Sequence, residues 1–458
     1  MTTRDIQHLY WRAGFGILPQ DIETLKGKSR EGVVSRLFLE SKEATPLQID
    51  ISEVEIELDK ALISKNDATL KALRKKSRKL LKDYNVAWIN RLSVPSEILR
   101  ERMTLFWANH FVVRDNRIDF VQDYNNMLRE FALGDFRSFV KQMSKQAAML
   151  KYLNNKQNVK RSPNENFARE LMELFTLGEG HYSEEDIKES ARTFTGYSHD
   201  IKGNFILRQR QHDYEQKTFL GRTGNFDGDD IIDIILEQRQ CAKFISKKIY
   251  KYFVNETIND AHVEAMTNVF YKDYSIEKLM QFMFLSDWFY DEVNVGSKIK
   301  SPIDFYIGMQ NIIPLKFEDD KSLFFIQKSL GQTLLNPPNV AGWRGGKQWI
   351  DSNTILMRLR LASVLYNNAH IPKNKKGDFG DPLGQFFERS KKHNLLNTTV
   401  NWGKFNQNFH TVNTNDLHEF LIASKINKGT LRFLETLSKS SKKDYCIQLM
   451  SIPEYQMC

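Results

Sequence analysis

Cysteine is nearly absent. The three present among 458 residues, Cys241, Cys446 and Cys458, share no paired spacing, which excludes a disulfide framework and a cysteine-based zinc knot. Cys241 is expected to pack as a small apolar residue. Long apolar runs are missing too, since no stretch reaches the roughly 18 residues needed to span a bilayer. The opening MTTRDIQHLYWRAGFG has no basic region followed by an apolar signal core. As written, the chain is expected to be cytoplasmic, with no transmembrane segment. There is no HExxH, no GxSxG elbow, no dinucleotide fingerprint and no Cys-His arrangement. The string GGK at Gly345 to Lys347 fails as a phosphate loop, because Ala341 stands where the first glycine belongs and Gln348 where Ser or Thr is required. No familiar reaction class is selected, and the cofactor is left unknown.

What is present is an aromatic-rich globular composition. Hydrophobic residues make up 41% and charged residues 27%, with 31 Phe and 16 Tyr, enough to bury a sizeable core. The net charge of +9 is modest for this length. It leans toward anionic partners without establishing nucleic-acid binding, which is not expected. Its strongest local expression is LKALRKKSRKLLKDY, Leu70 to Tyr84, read as the solvated outer face of a long helix.

Helical periodicity dominates. The spacing predicts helices from Pro19 to Leu25, Arg30 to Glu40, Ile118 to Leu133 and Phe136 to Tyr152, with a long outer hairpin or broken helix between Ile51 and Leu92 whose break falls near Asn66-Asp67. A helix after Pro95 is expected to be capped by Ser96 and to carry His110 in its last turn. Between Gly203 and Gly228 the period changes, predicting a small two-stranded projection. The fold class is therefore mainly α, a large multi-helical body with a small β-hairpin insertion near 203–222. The main domain is placed at 1–372, followed by a smaller C-terminal helical subdomain or extension at 373–458, with helices expected around Phe386 to Lys391, Asp416 to Ile426 and Leu431 to Leu437.

The most informative run is NENFARELMELFTLGEGHY, Asn164 to Tyr182. Phe167, Leu171, Leu174 and Phe175 form an apolar side, while Asn166, Glu170 and Glu173 follow at spacings of four and three, beside the pair Glu165 and Arg169. The next helix begins with Ser183 as N-cap and Asp186 at N3. The bland reading is an arginine-carboxylate network locking two helices; the sharper one is a site that handles a ligand or a proton. His212-Asp213 with Lys217 four residues on supplies an imidazole, a carboxylate and a cation, although adjacent strand residues point to opposite faces. His110 with Glu170, Glu173 or His181 has no metal-ligand spacing, so no metal is expected. In GQTLLNPPNVAGWRGGKQWIDS, Gly331 to Ser352, Trp343 and Trp349 are candidates to line a sugar or peptide groove or to anchor a folded loop, and Arg344 or Lys347 to meet an anion.

Several ordered motifs resemble one bacterial family, the domain of unknown function 1800. They are HLYWRAGFG at His8 to Gly16, LFWANHF at Leu105 to Phe111, NENFARELMELFTLG at Asn164 to Gly178, ARTFTG at Ala191 to Gly196, HDYEQKTFLG at His212 to Gly221 and GQTLLNPPNVAGWRGGKQWI at Gly331 to Ile350. The resemblance implies an envelope or polymer-processing context, since members are often exported and encoded beside proteins similar to sulfatases. A neighbouring sulfatase-like protein is thus an expected partner, and envelope association stays open. Many members carry His where this chain has Ala108 or Phe175, and Pro where it has Arg344.

These readings converge on one functional expectation. Hydrolysis or binding of a polar polymer-derived ligand is assigned to a pocket where Glu170 or Glu173 is general base, His212 is acid or orienting group, and Arg169 or Lys217 stabilises an anion. His110, Asn166, Asp213, Trp343 and Trp349 complete the ligand contacts. The alternative is a noncatalytic scaffold or carbohydrate-binding partner of a neighbouring hydrolase, presenting an aromatic surface around Trp343.

Overall fold

Side-chain caps set where many of these helices begin. Thr2, Ser183, Asp227 and Ser301 each accept a hydrogen bond from the backbone N–H three residues on, and the acidic residue there, Asp5, Asp186, Asp230 or Asp304, reaches back to the cap's own N–H. Each box satisfies donors that a helix start otherwise leaves unpaired. The computed structural model describes residues 1–64, 67–94, 96–367, 396–437 and 441–458. The fold is mainly helical, with three short antiparallel strand pairs. Among the described residues, no helix is long and apolar enough to cross a membrane.

The largest core cluster forms around the Ile98–His110 helix, every residue of which except Ala108 and Asn109 is buried. Trp107 packs on Phe111, Phe136 and Phe139 with ring centroids 5.2–5.7 Å apart, and Leu171, Phe175 and Ile245 join the same cluster. A second cluster gathers Phe305, Met309, Leu361, Leu365, Tyr445 and Met450, so the Pro302–Ile312 and Ser352–Asn367 helices pack with C-terminal elements. The boundary at 373 and the helix expected over Phe386 to Lys391 lie outside the described residues. A third cluster, with Val54, Leu58, Leu73 and Tyr84, joins the Ser52–Ser64 and Asp67–Leu92 helices; Asn66, at the expected break, is outside the described residues. Lys71, Arg74, Lys75, Arg78 and Lys79 are exposed on the second of these helices.

Four local expectations change. The helix expected from Asp416 to Ile426 is the shorter Leu417–Leu421. Ser96 does not cap the Ile98–His110 helix: Glu97 takes that place with φ +53, and its carboxylate turns to Arg91 at 2.7 Å and to Thr45. The helix expected from Phe136 to Tyr152 is two, Phe136–Ser144 and Ala147–Tyr152, separated at Lys145 and Gln146. The projection near 203–222 is two strand pairs rather than one: Tyr197–His199 with Phe205–Leu207, and Lys217–Phe219 with Arg222–Gly224. Each run pairs across its own turn, the shorter loop to close.

Candidate functional site

The Asn166–Glu170 helix widens into a π turn, Leu171–Thr176, and stops at Gly178, whose φ of +84 suits glycine. The amides of Leu177 and Gly178 both donate to the Met172 carbonyl, at 2.8 and 2.9 Å. Two later carbonyls thus need outside donors. The Leu174 carbonyl receives Lys248 Nζ at 2.7 Å and the Phe175 carbonyl receives His110 Nε2 at 3.0 Å. Because a carbonyl only accepts, Nε2 carries the proton, and Nδ1 is left to accept from Lys248 Nζ at 3.1 Å. Burial, then the nearby ammonium, holds His110 well below its ordinary 6.5, consistent with that neutral tautomer. Burial likewise brings Lys248 down to about 8. A cation at a helix C-terminus is favourable with the dipole. Both ring nitrogens of His110 are therefore committed to ending the Glu170 helix.

On the outer side of the same helix the carboxylates differ. Glu173 accepts a hydrogen bond from Tyr182 Oη at 3.2 Å. Glu170 is half-buried and has no hydrogen bond or ion pair with any described residue. Burial and the adjacent Glu173 charge raise it above its ordinary 4.5, against the opposing pull of Arg169. Glu170 and Arg114 both act electrostatically on the half-buried Tyr152, whose own pKa is raised chiefly by burial. Arg114 is exposed, and neither its side chain nor that of Tyr152 has a hydrogen bond or ion pair with another described residue. Arg114 and Glu170 thus each come within electrostatic reach of Tyr152.

Arg169 is committed elsewhere. Its guanidinium holds Glu184 at 2.9 and 3.0 Å and Glu165 at 3.2 Å, the inter-helix lock of the bland reading. Asn166 is exposed, and its backbone N–H caps onto Asn164 Oδ1 at 3.1 Å.

His212 and Asp213 lie between the two strand pairs, and Lys217 opens the second. His212 Nδ1 donates to the Thr195 carbonyl at 2.7 Å, and its ring stands edge-on to Tyr214 at 4.6 Å. Asp213 accepts from Arg192 Nε at 2.7 Å and from the Glu215 amide at 2.8 Å. Burial pushes its carboxyl up, but these bonds hold it below 3.8. Lys217 donates to the carbonyls of Asp213 and Phe226 at 2.6 and 3.0 Å, and burial lowers its pKa. His212 and Asp213 thus serve different partners.

Asn109 ties the tryptophan loop to the end of the His110 helix, accepting from the Trp343 amide at 2.6 Å and donating to its carbonyl at 3.3 Å. The approach requires glycine at 342, where φ is +83 and a Cβ would lie 2.3 Å from Asn109 Oδ1. Trp343 and Trp349 are 5% and 7% exposed. The aromatic surface expected around Trp343 is therefore absent: both indoles anchor the loop, leaving Arg344 and Lys347 exposed. Ala108, Phe111 and Trp343 help line a cavity of about 30 Å³. Ala108 and Phe175, the positions where the resemblance places His, lie at this cavity and against Phe111 respectively.

Among the described residues, no three His, Cys, Asp or Glu side chains are grouped to hold a metal ion. Sequence reasoning missed Lys248, Arg114 and Tyr152. Lys248 is separated by 138 residues from His110, so no local pattern could have signalled it, while Arg114 lies three residues beyond the LFWANHF run and carried a weak local hint. No curated protein and no solved structure matches the chain. Its sequence does match one family profile over residues 8–457, and the chain belongs to that family, described as protein of unknown function (DUF1800).

Proposed function

We propose that the face bearing Arg114, Tyr152 and Glu170 is a ligand site, and that the protein is a hydrolase or binding protein for a polar, polymer-derived ligand. The observation carrying this reading is that the Glu170 carboxylate has no hydrogen bond or ion pair with any described residue and lies, like Arg114, within electrostatic reach of Tyr152, whereas Arg169, Asp213 and Lys217 are matched internally. In this reading Glu170 is the general base, because a raised carboxyl pKa lies nearer the working pH and accepts a proton more effectively. Glu173 acts through its charge, which keeps Glu170 raised. Arg114 takes the anion-stabilising part first given to Arg169 or Lys217, and the Tyr152 hydroxyl orients the ligand.

The test is turnover across ester, phosphate and glycan libraries, comparing wild type with Glu170→Gln. Gln removes the base without breaking a native contact, so loss of turnover with unchanged folding supports the assignment. Equal turnover in both proteins defeats it. A noncatalytic partner of a neighbouring sulfatase-like hydrolase is the second reading. It is favoured by the internal commitment of both His110 nitrogens and of Asp213, which leaves Glu170 without an evident acid partner. Ligand binding at this face with no turnover in any library would select it.

A further inference from the structure

Away from the Glu170 face, four cations converge in the interior. Arg12, Arg102, Lys300 and Arg358 are each 0–2% exposed, and they come from four separate parts of the chain. Asp304 is the side-chain carboxylate that acts on all four, so positive charge is in surplus. Lys298 stands at the edge, its ammonium on the Lys251 carbonyl at 2.7 Å, with Glu256 beyond it. Arg102 is bound to Asp304. Arg12 spends one nitrogen on the Asn294 carbonyl at 2.7 Å and on Ser297 Oγ at 3.2 Å, and Arg358 spends two on Gln456 and the Lys300 carbonyl at 2.9 and 2.5 Å.

Other donors are unmatched. Among the described residues, Arg12 Nε and Nη1, Arg102 Nε, Lys300 Nζ, Arg358 Nη1 and Gln456 Nε2 are buried without a hydrogen-bond partner, and the Tyr455 hydroxyl joins them. Lys300 Nζ instead lies 3.9 Å from the Trp11 ring centroid and 3.7 Å from that of Tyr455. Proteins pair nearly all buried polar groups and pair or neutralise buried charges. Six or more orphaned donors around surplus positive charge lack one kind of partner, an acceptor with several oxygens and negative charge.

We infer that this cluster is a binding site for a small tetrahedral oxyanion, phosphate or sulfate, held chiefly by Arg12, Lys300 and Arg358. Such an anion offsets the surplus charge and supplies acceptors in several directions, and guanidinium forks suit its geometry. It also keeps Lys300 charged, where burial and then the nearby Arg358, against the opposing pull of Asp304, bring the ammonium down to about 7. Ala423, which packs on Trp11 and Cys458, separates the cluster from an open cleft of about 900 Å³ that it lines with Arg4, Gln7, Val295 and Lys425. The site is independent of the Glu170 face.

Ion chromatography of anions released on denaturing the full-length protein, followed by calorimetric titration of the dialysed protein with inorganic phosphate and with sulfate, tests this inference. One anion per chain is expected, and preference between the two titrants identifies the source. Lys300→Met should weaken binding about 10- to 100-fold, the range for one charge-assisted hydrogen bond. Lys75→Met on the outer helix should leave it unchanged. Arg12→Met provides the same test if Lys300→Met fails to fold. No released anion together with no heat of binding overturns the assignment, as does binding that Lys300→Met and Arg12→Met leave intact or that Lys75→Met also abolishes.

Discussion

Replacing Lys248 with methionine tests how the Glu170 helix is held. The ammonium serves the Leu174 carbonyl at 2.7 Å and His110 Nδ1 at 3.1 Å, and methionine keeps the apolar stem while orphaning both acceptors. Each orphaned buried acceptor costs about 1–3 kcal/mol, partly offset by removing a buried charge, so a net loss of about 1–3 kcal/mol at pH 7 is expected. The pH dependence is more diagnostic. The folded value of about 8 lies below the ordinary 10.5, so below pH 8 the group is charged in both states and the burial penalty is fully present. Between pH 8 and 10.5 the unfolded chain holds a proton that the folded chain has released, and stability rises with pH. A shift of that size corresponds to about 3 kcal/mol. Chemical denaturation of wild type and Lys248→Met across pH 7–10.5 should show the gap between them widening by about that amount. A gap that stays constant with pH would refute the buried-cap account of Lys248.

Other substitutions probe the neighbouring devices. Gly342→Ala forces a side chain into the left-handed region and against Asn109 Oδ1, and should cost about 2–4 kcal/mol in denaturation experiments. Asp213→Asn removes a carboxylate whose folded value lies below 3.8. The stability difference from wild type should be fully present above pH 3.8 and vanish as the pH falls through the folded value, as acid titration of the unfolding midpoint will show. Arg169→Ala breaks ion pairs with Glu165 and Glu184 whose members are 37–69% exposed; a loss under about 1 kcal/mol is expected from thermal or urea unfolding.

Features decided by nearby residues were legible in the sequence. The Ser183–Asp186 box and the Pro19–Leu25 and Arg30–Glu40 helices all follow from contacts within a few positions. The π turn was not, since LMELFT fits an ordinary helical period equally well, and its widening is satisfied by Lys248 and His110, which arrive from other helices. Charged side chains were recognised by type but not by partner. Arg192 meets Asp213 across 21 positions and Arg102 meets Asp304 across 202, and periodicity carries no information at those separations. The same limit applies to the tryptophans: a Gly-rich loop with two indoles reads equally as a groove or an anchor, and Asn109, 234 positions away, is what fixes the latter.

The central claim is that the Glu170 carboxylate, unlike Arg169, Asp213 and Lys217, is available for chemistry rather than spent on structure. Measuring stability and turnover together in Glu170→Gln is its most direct test. A carboxyl raised above 4.5 in the folded protein makes folding less favourable as the pH rises through and beyond that value, so the amide should be at least as stable as wild type at pH 7 while losing turnover against whichever substrate the libraries reveal. A variant that is markedly less stable, or equally stable and fully active, would contradict the account.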